Sequence, residues 1–226
     1  MTILTWLPGA TVVDLRGSRG NGPFQRFLGV ALHVNVDEAG TSDAFWANNP
    51  GEVCPNFQVY KDGRIHQMLP FNWQPWCQID GNYNYAAIET AGMPTEPLTD
   101  AQCASIAKIL QVYHAQMGMP LQVSDAPGTP GFITHQAGGQ PWGGHACPGP
   151  LRSAQRSHIL SLVTNPTPAG DEDMTPAQMQ ELKSYIDAKF KASDAGLTRR
   201  LDNEIWPAIE RLEAAAGTTP AKKAGK

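Results

Sequence analysis

The residues of this chain that can hold a metal ion or move a proton are few enough to weigh one at a time. There are six histidines and four cysteines. His33 sits in Ala31-Leu32-His33-Val34-Asn35, at the end of an apolar run. His135 follows a second short apolar run, Gly131-Phe132-Ile133-Thr134, and Cys147 lies in His145-Ala146-Cys147-Pro148-Gly149-Pro150, ahead of a helical pattern. Two imidazoles and a thiolate suit Zn²⁺, and three protein ligands leave a fourth position for water. Their wide separation matches no zinc-finger spacing, and a histidine taken alone is more often a satisfied structural group. Glu89 ends an apolar segment, Tyr85-Ala86-Ala87-Ile88. Its carboxylate could accept a proton from an attacking water, or stand solvated at a strand end. Residue types alone leave these readings open. Trp46, Trp73, Trp76 and Trp142 offer ring faces to sugars or peptides, with core packing as the default for each. His66, His114 and His158 are assigned no chemistry, and Cys103 reads as a small core residue of a helix. A Cys54–Cys77 disulfide is possible, but free thiols suit an unexported chain better.

The elements that must position these residues mix strands and helices. Gly29 to Val36 reads as a buried strand and Thr41 to Asn48 as a short helix. Asn56 to Tyr60 and Arg64 to Leu69 flank Asp62-Gly63, a hairpin signal because glycine accepts positive φ. Tyr85 to Thr90 is a further strand. Thr99 to Met117 carries Cys103, Ile106, Ala107, Leu110, Tyr113 and Met117 at helical spacing, with Gly118 as a stop. Leu151 to Val163 reads as the last helix. The fold class expected is α/β, a mixed central sheet flanked by helices, with a C-terminal helical appendage.

Composition changes near residue 165. Residues 1–165 hold 8 Lys/Arg and 11 Asp/Glu, whereas the much shorter 166–226 holds 9 and 10. A domain over 1–165 is therefore expected, then a Pro/Gly linker over 166–174. From 175 to 216, Met179, Leu182, Ile186, Phe190, Leu197, Leu201, Ile205, Ile209 and Leu212 form an apolar stripe suited to an amphipathic helix or coiled coil. Pro207 should kink it, self-association through it is possible, and 217–226 reads as a disordered tail. The net charge of -4 gives no support for a nucleic-acid partner. No apolar run is long enough to span a membrane, and residues 1–15 do not read as a signal peptide.

Several segments, in order, resemble the type-2 N-acetylmuramoyl-L-alanine amidases, a family that includes phage amidases and peptidoglycan recognition proteins. They are Leu32-His33-Val34-Asn35, Phe57-Gln58-Val59-Tyr60-Lys61-Asp62-Gly63-Arg64-Ile65-His66-Gln67, Asn84-Tyr85-Ala86-Ala87-Ile88-Glu89, Phe132-Ile133-Thr134-His135 and Ala146-Cys147-Pro148-Gly149. The resemblance implies zinc held by His33, His135 and Cys147 in a surface groove, with Glu89 as general base. It implies His145, where hydrolytic relatives often carry lysine, as the oxyanion donor. Asn35, Trp76, Asn84 and Trp142 are the residues expected to contact substrate. Pro55 stands where one branch of the family has a catalytic tyrosine, which fits a glutamate-type enzyme and also a binding-only relative. The activity implied is cleavage between N-acetylmuramic acid and L-alanine in bacterial peptidoglycan. A non-catalytic peptidoglycan-binding protein is the alternative; a cysteine peptidase is disfavoured by Pro148 after Cys147. A wall hydrolase with no export signal suits a phage endolysin, kept in the host cytoplasm until a holin releases it.

Overall fold

The structure is a computed structural model. It describes residues 4–16, 22–37, 42–49 and 53–165. The expected linker, helical module and tail over 166–226 lie outside the described residues. Among the described residues no helix is long and apolar enough to cross a membrane.

Six strands form one mixed sheet: β1 (Thr11–Val12), β2 (Gly29–Leu32), β3 (Phe57–Val59), β4 (Ile65–Gln67), β5 (Tyr85–Thr90) and β6 (Gly131–Thr134), in the order β1-β4-β3-β5-β2-β6. Only the β3–β4 hairpin is antiparallel; the other neighbours run parallel. At its turn, Gly63 has φ +87° and Asp62 Oδ1 accepts from the Arg64 amide at 3.0 Å, the chemistry expected of Asp-Gly. Strands β2, β5 and β6 are buried throughout, which is why they read as continuous apolar runs rather than alternating ones.

Helix α1 spans Ser42–Asn48, and α2 spans Asp100–Met117. Thr99 is the N-cap of α2: its hydroxyl accepts from the Gln102 amide while the Gln102 side chain accepts from the Thr99 amide, satisfying two donors that the first turn leaves free. Gly118 ends the helix at φ +70°. The apolar side of α2, with Ile106, Ile109, Leu110 and Tyr113 fully buried, packs with Val30, Leu32, Phe57, Ala86, Ile88 and Phe132 of the sheet. The last helical stretch is two helices, α3 (Pro150–Ala154) and α4 (Arg156–Thr164). The break falls at Gln155, whose side chain is held by the Leu98 backbone: Oε1 accepts from its amide at 2.7 Å and Nε2 donates to its carbonyl at 3.0 Å. That tertiary clamp overrides a continuous helical pattern.

Side-chain alternation sorts the sheet residues between two faces. Val30, Leu32, Ala86, Ile88 and Phe132 face α2. Ala31, Tyr85 and Ile133 face the other way, against Leu28 and Trp142. This second cluster is small, so that face is incompletely covered where the strands end.

Candidate metal centre

Strand register brings the distant histidines together. Leu32 of β2 pairs with Ile88 of β5 and with Thr134 of β6. The next residues are His33, Glu89 and His135, level with one another at the carboxyl ends of three adjacent parallel strands. By alternation they belong to the face opposite α2. Open α/β sheets gather ligands at the carboxyl ends of their strands.

Cys147 arrives from the loop before α3 and lies against the end of β2. Its Sγ accepts from the Val34 amide at 3.2 Å, and its carbonyl accepts from the Gln136 amide at 2.8 Å. The Cys147–Pro148 peptide is cis. One ligand atom each from His33, His135 and Cys147 lie within 4.8 Å of one another. These residues and Glu89 line a cavity of about 430 Å³ that also meets Cys77 and His145.

Hydrogen bonds at the back of each ring fix which nitrogen faces the cavity. Gln78 is fully buried, and its Nε2 donates to the carbonyls of Gly81 (3.1 Å) and Tyr85 (2.7 Å). Its Oε1 must therefore face His33 Nε2, 2.8 Å away, which makes that nitrogen the donor. His33 Nδ1 is left with its lone pair free, 3.6 Å from Glu89 Oε1. In the same way His135 Nε2 donates to the Trp142 carbonyl at 2.7 Å, leaving its Nδ1 free. A second partner that fixes tautomer and ring orientation is what metal-binding histidines require. Trp142 is held for this by two close approaches: a Cβ on Gly138 would lie 2.0 Å from its ring, and one on Gly81 2.7 Å.

The electrostatics agree. Burial, then the nearby His135, pulls His33 down to about 3, so the ring is neutral; burial also lowers His135. Burial pushes Glu89 up to about 8, against a smaller opposing pull from Arg152, and Glu89 Oε2 has no hydrogen-bond partner. Burial, with Glu89 next in size, pushes the Cys147 thiol up to about 12. Two neutral imidazoles, a thiol and an orphaned carboxylate oxygen suit a cation, which would favour the charged form of each acidic group.

His145 is exposed at the cavity mouth, its ring centroid 5.1 Å from that of His135. The expected substrate contacts are not gathered with it. Asn35 is engaged by protein: Nδ2 donates to Ser42 Oγ (3.1 Å) and Gln58 Oε1 (2.9 Å), and Oδ1 accepts from the Asp37 amide (3.1 Å). Asn84 lines a separate depression with Gln25, Arg26, Gln74 and Tyr83. The Trp142 ring is buried, whereas Trp76 is 47% exposed. Trp46 is buried in a small apolar cluster with Leu15, Cys54, Met68 and Leu69, and Trp73 packs against that cluster. All four cysteines are free thiols. Two β-branched residues near the cavity have positive φ, Val36 at 52° and Ile79 at 47°, a costly conformation for that side-chain type.

Sequence reading missed Gln78 and Arg152, and weighed Cys77 only as a disulfide partner of Cys54. The Arg152 side chain is fully buried. It donates to Thr90 Oγ1 at 2.7 Å and to the carbonyls of Ala91, Met93 and Glu96, while Thr90 Oγ1 donates to the His33 carbonyl. No local motif marks these residues.

The chain is similar in fold to several solved structures. The Staphylococcus aureus hydrolase AmiA in complex with its ligand shares 17% identity, covers 70% of this chain and 82% of its own, and has a TM-score of 0.55. The endolysin N-acetylmuramoyl-L-alanine amidase LysCS from Clostridium intestinale shares 15%, over 71% and 99% of the two chains, with a TM-score of 0.51. AmpD, as its selenomethionine derivative, shares 18% over 71% and 99%, at 0.50. No curated protein sequence matches. The family profile for N-acetylmuramoyl-L-alanine amidase matches residues 24–150, more than half of the chain and all of the stretch that runs from β2 through Cys147. With that match over the strands and the loop that carry the site, the chain belongs to the N-acetylmuramoyl-L-alanine amidase family.

Proposed function

We propose that this protein is a zinc-dependent hydrolase of the amide between N-acetylmuramic acid and L-alanine in peptidoglycan, acting as a phage endolysin. The observation that carries the reading is the convergence of His33, His135 and Cys147 within 4.8 Å, beside the unpartnered Glu89 Oε2. His33, His135 and Cys147 would hold the ion. Zinc, when bound, polarises the scissile carbonyl and makes a water acidic enough to attack near neutral pH.

The remaining work belongs to the chain. Gln78 and the Trp142 carbonyl engage the Nε2 atoms of the two imidazoles, so that their Nδ1 atoms would be free to hold the ion. Glu89 takes the proton of the attacking water on Oε2, which has no competing donor. It then delivers that proton to the alanine nitrogen as the amide bond breaks. Its raised affinity for protons suits a group that must both accept and return one near pH 7. His145, at the open mouth, donates to the oxygen on which charge develops. Release by a holin is the route that such a role requires.

The test is mass spectrometry of purified muropeptides incubated with the protein, with zinc and with a chelator. A free stem peptide and its glycan, formed with zinc and lost on chelation, are expected. Muropeptide binding without cleavage would overturn the enzyme reading and leave the binding-only alternative; cleavage unaffected by the chelator would remove zinc.

A further inference from the structure

Cys77 lines the same cavity and has no part in this chemistry. It follows Trp76, whose backbone pairs with Cys54, and precedes Gln78, the partner of His33. One ligand atom each from His33, Cys77 and Glu89 also lie within 4.8 Å of one another. The two triads share His33 and differ in everything else. Glu89 is 8% exposed, and its Oε2 lacks any hydrogen-bond partner, so the second triad contains a buried acceptor in need of a cation or a donor. One nitrogen, one sulfur and one carboxylate oxygen form a donor set that zinc and cadmium both accept.

We propose that His33, Cys77 and Glu89 form a second metal seat, exclusive of the His33–His135–Cys147 seat. Exclusivity follows from His33, whose Nε2 is committed to Gln78; only Nδ1 can bind an ion, so one ion occupies one seat at a time. An ion in the second seat coordinates the Glu89 carboxylate and so removes the general base. The Cys77 proton passes to solvent as its thiolate binds. The second seat is therefore an inactive position for the metal a short step from the working one.

This inference rests on the functional reading above only for its consequence, loss of the base; the seat itself is tested by binding. The probe is Cd²⁺, titrated into full-length protein while the thiolate-to-cadmium ultraviolet absorption is followed. Cys147→Ala removes the thiolate of the first seat. That variant is expected to bind one equivalent of Cd²⁺ with a single-thiolate band, and Cys147→Ala/Cys77→Ser is expected to lose the band. Circular dichroism checks that both fold, and Cys77→Ser alone, in which the first seat is intact, should keep the Cys147 band. Absence of the band in folded Cys147→Ala, or its survival in the double variant, overturns the second seat. Failure of the zinc-amidase reading would look different: metal bound in wild type and no muropeptide cleaved, with the Cys77 result unchanged.

Discussion

Gln78 offers the sharpest test of how the site is built, because it touches the proposed metal only through His33. In Gln78→Leu the volume is nearly kept, but three hydrogen bonds vanish: to His33 Nε2 and to the Gly81 and Tyr85 carbonyls. The Gly81 carbonyl retains a bond from the Asn84 amide at 3.3 Å, so the main cost falls on the buried His33 N–H and on Tyr85. At about 1–3 kcal/mol per orphaned buried group, the metal-free protein should lose about 2–6 kcal/mol in urea unfolding. Without an acceptor behind it, His33 also loses its fixed tautomer. Removing such a partner typically weakens metal binding about 10- to 100-fold, which is about 1.4–2.7 kcal/mol. Competition with a chromophoric chelator measures this directly. Gln78→Glu is the control. A buried, protonated glutamic acid can accept from His33 and donate to one of the two carbonyls, so zinc affinity should stay within about 10-fold of wild type while stability falls. If Gln78→Leu is destabilised yet binds zinc as tightly as wild type, Gln78 is a packing residue and the tautomer argument fails.

Five further outcomes are expected. Glu89→Gln should keep its zinc by elemental analysis and lose about 100-fold or more in turnover, and His145→Ala should lose about 10- to 1000-fold; near wild-type rates would remove either role. In the metal-free protein, Glu89 binds its proton more tightly folded than unfolded, so its contribution is full below about pH 4.5 and is lost as pH rises through about 8. Relative to Glu89→Gln, wild-type stability should fall across that window by at most about 5 kcal/mol, at about 1.4 kcal/mol per pH unit; a pH-independent difference between the two would refute it. Arg152→Met removes a fully buried guanidinium with its bonds to Thr90 Oγ1, to the Ala91, Met93 and Glu96 carbonyls and to the Glu96 carboxylate, and should cost about 3–5 kcal/mol, the scale for breaking a buried charged network, whereas a loss below about 1 kcal/mol would show that water replaces the guanidinium. Ile79→Gly removes strain of about 1–3 kcal/mol against a glycine cost of about 0.5–1 kcal/mol, so its thermal midpoint should hold or rise; a clear fall would show that the exposed side chain packs productively.

Local chemistry made much of this protein legible from its sequence. The Thr99 cap, the Gly118 stop and the spacing between them define α2, because capping and periodicity act within a few residues. Asp62-Gly63 specified the hairpin for the same reason. The apolar runs ahead of His33, Glu89 and His135 marked buried strands, and ordered motifs placed those residues, with Cys147, in a family and a proposed site. Register is different in kind. That Leu32, Ile88 and Thr134 align, so that the next residue on each strand meets the others, depends on which strands become neighbours, and no local pattern encodes that. The same limit hid the roles of Gln78, Cys77 and Arg152. Each acts through partners brought near by the sheet and loops, Arg152 on backbone carbonyls 56 to 61 positions away. Trp142 turned inward for a comparable reason: Gly81 and Gly138 leave room for its ring, and its carbonyl rather than its face serves the site. Sequence alone determined the kinds of group available and the elements that carry them. Tertiary structure decided which nitrogen each histidine presents and which carboxylate oxygen is left without a partner, because those depend on distances between chain segments far apart in sequence.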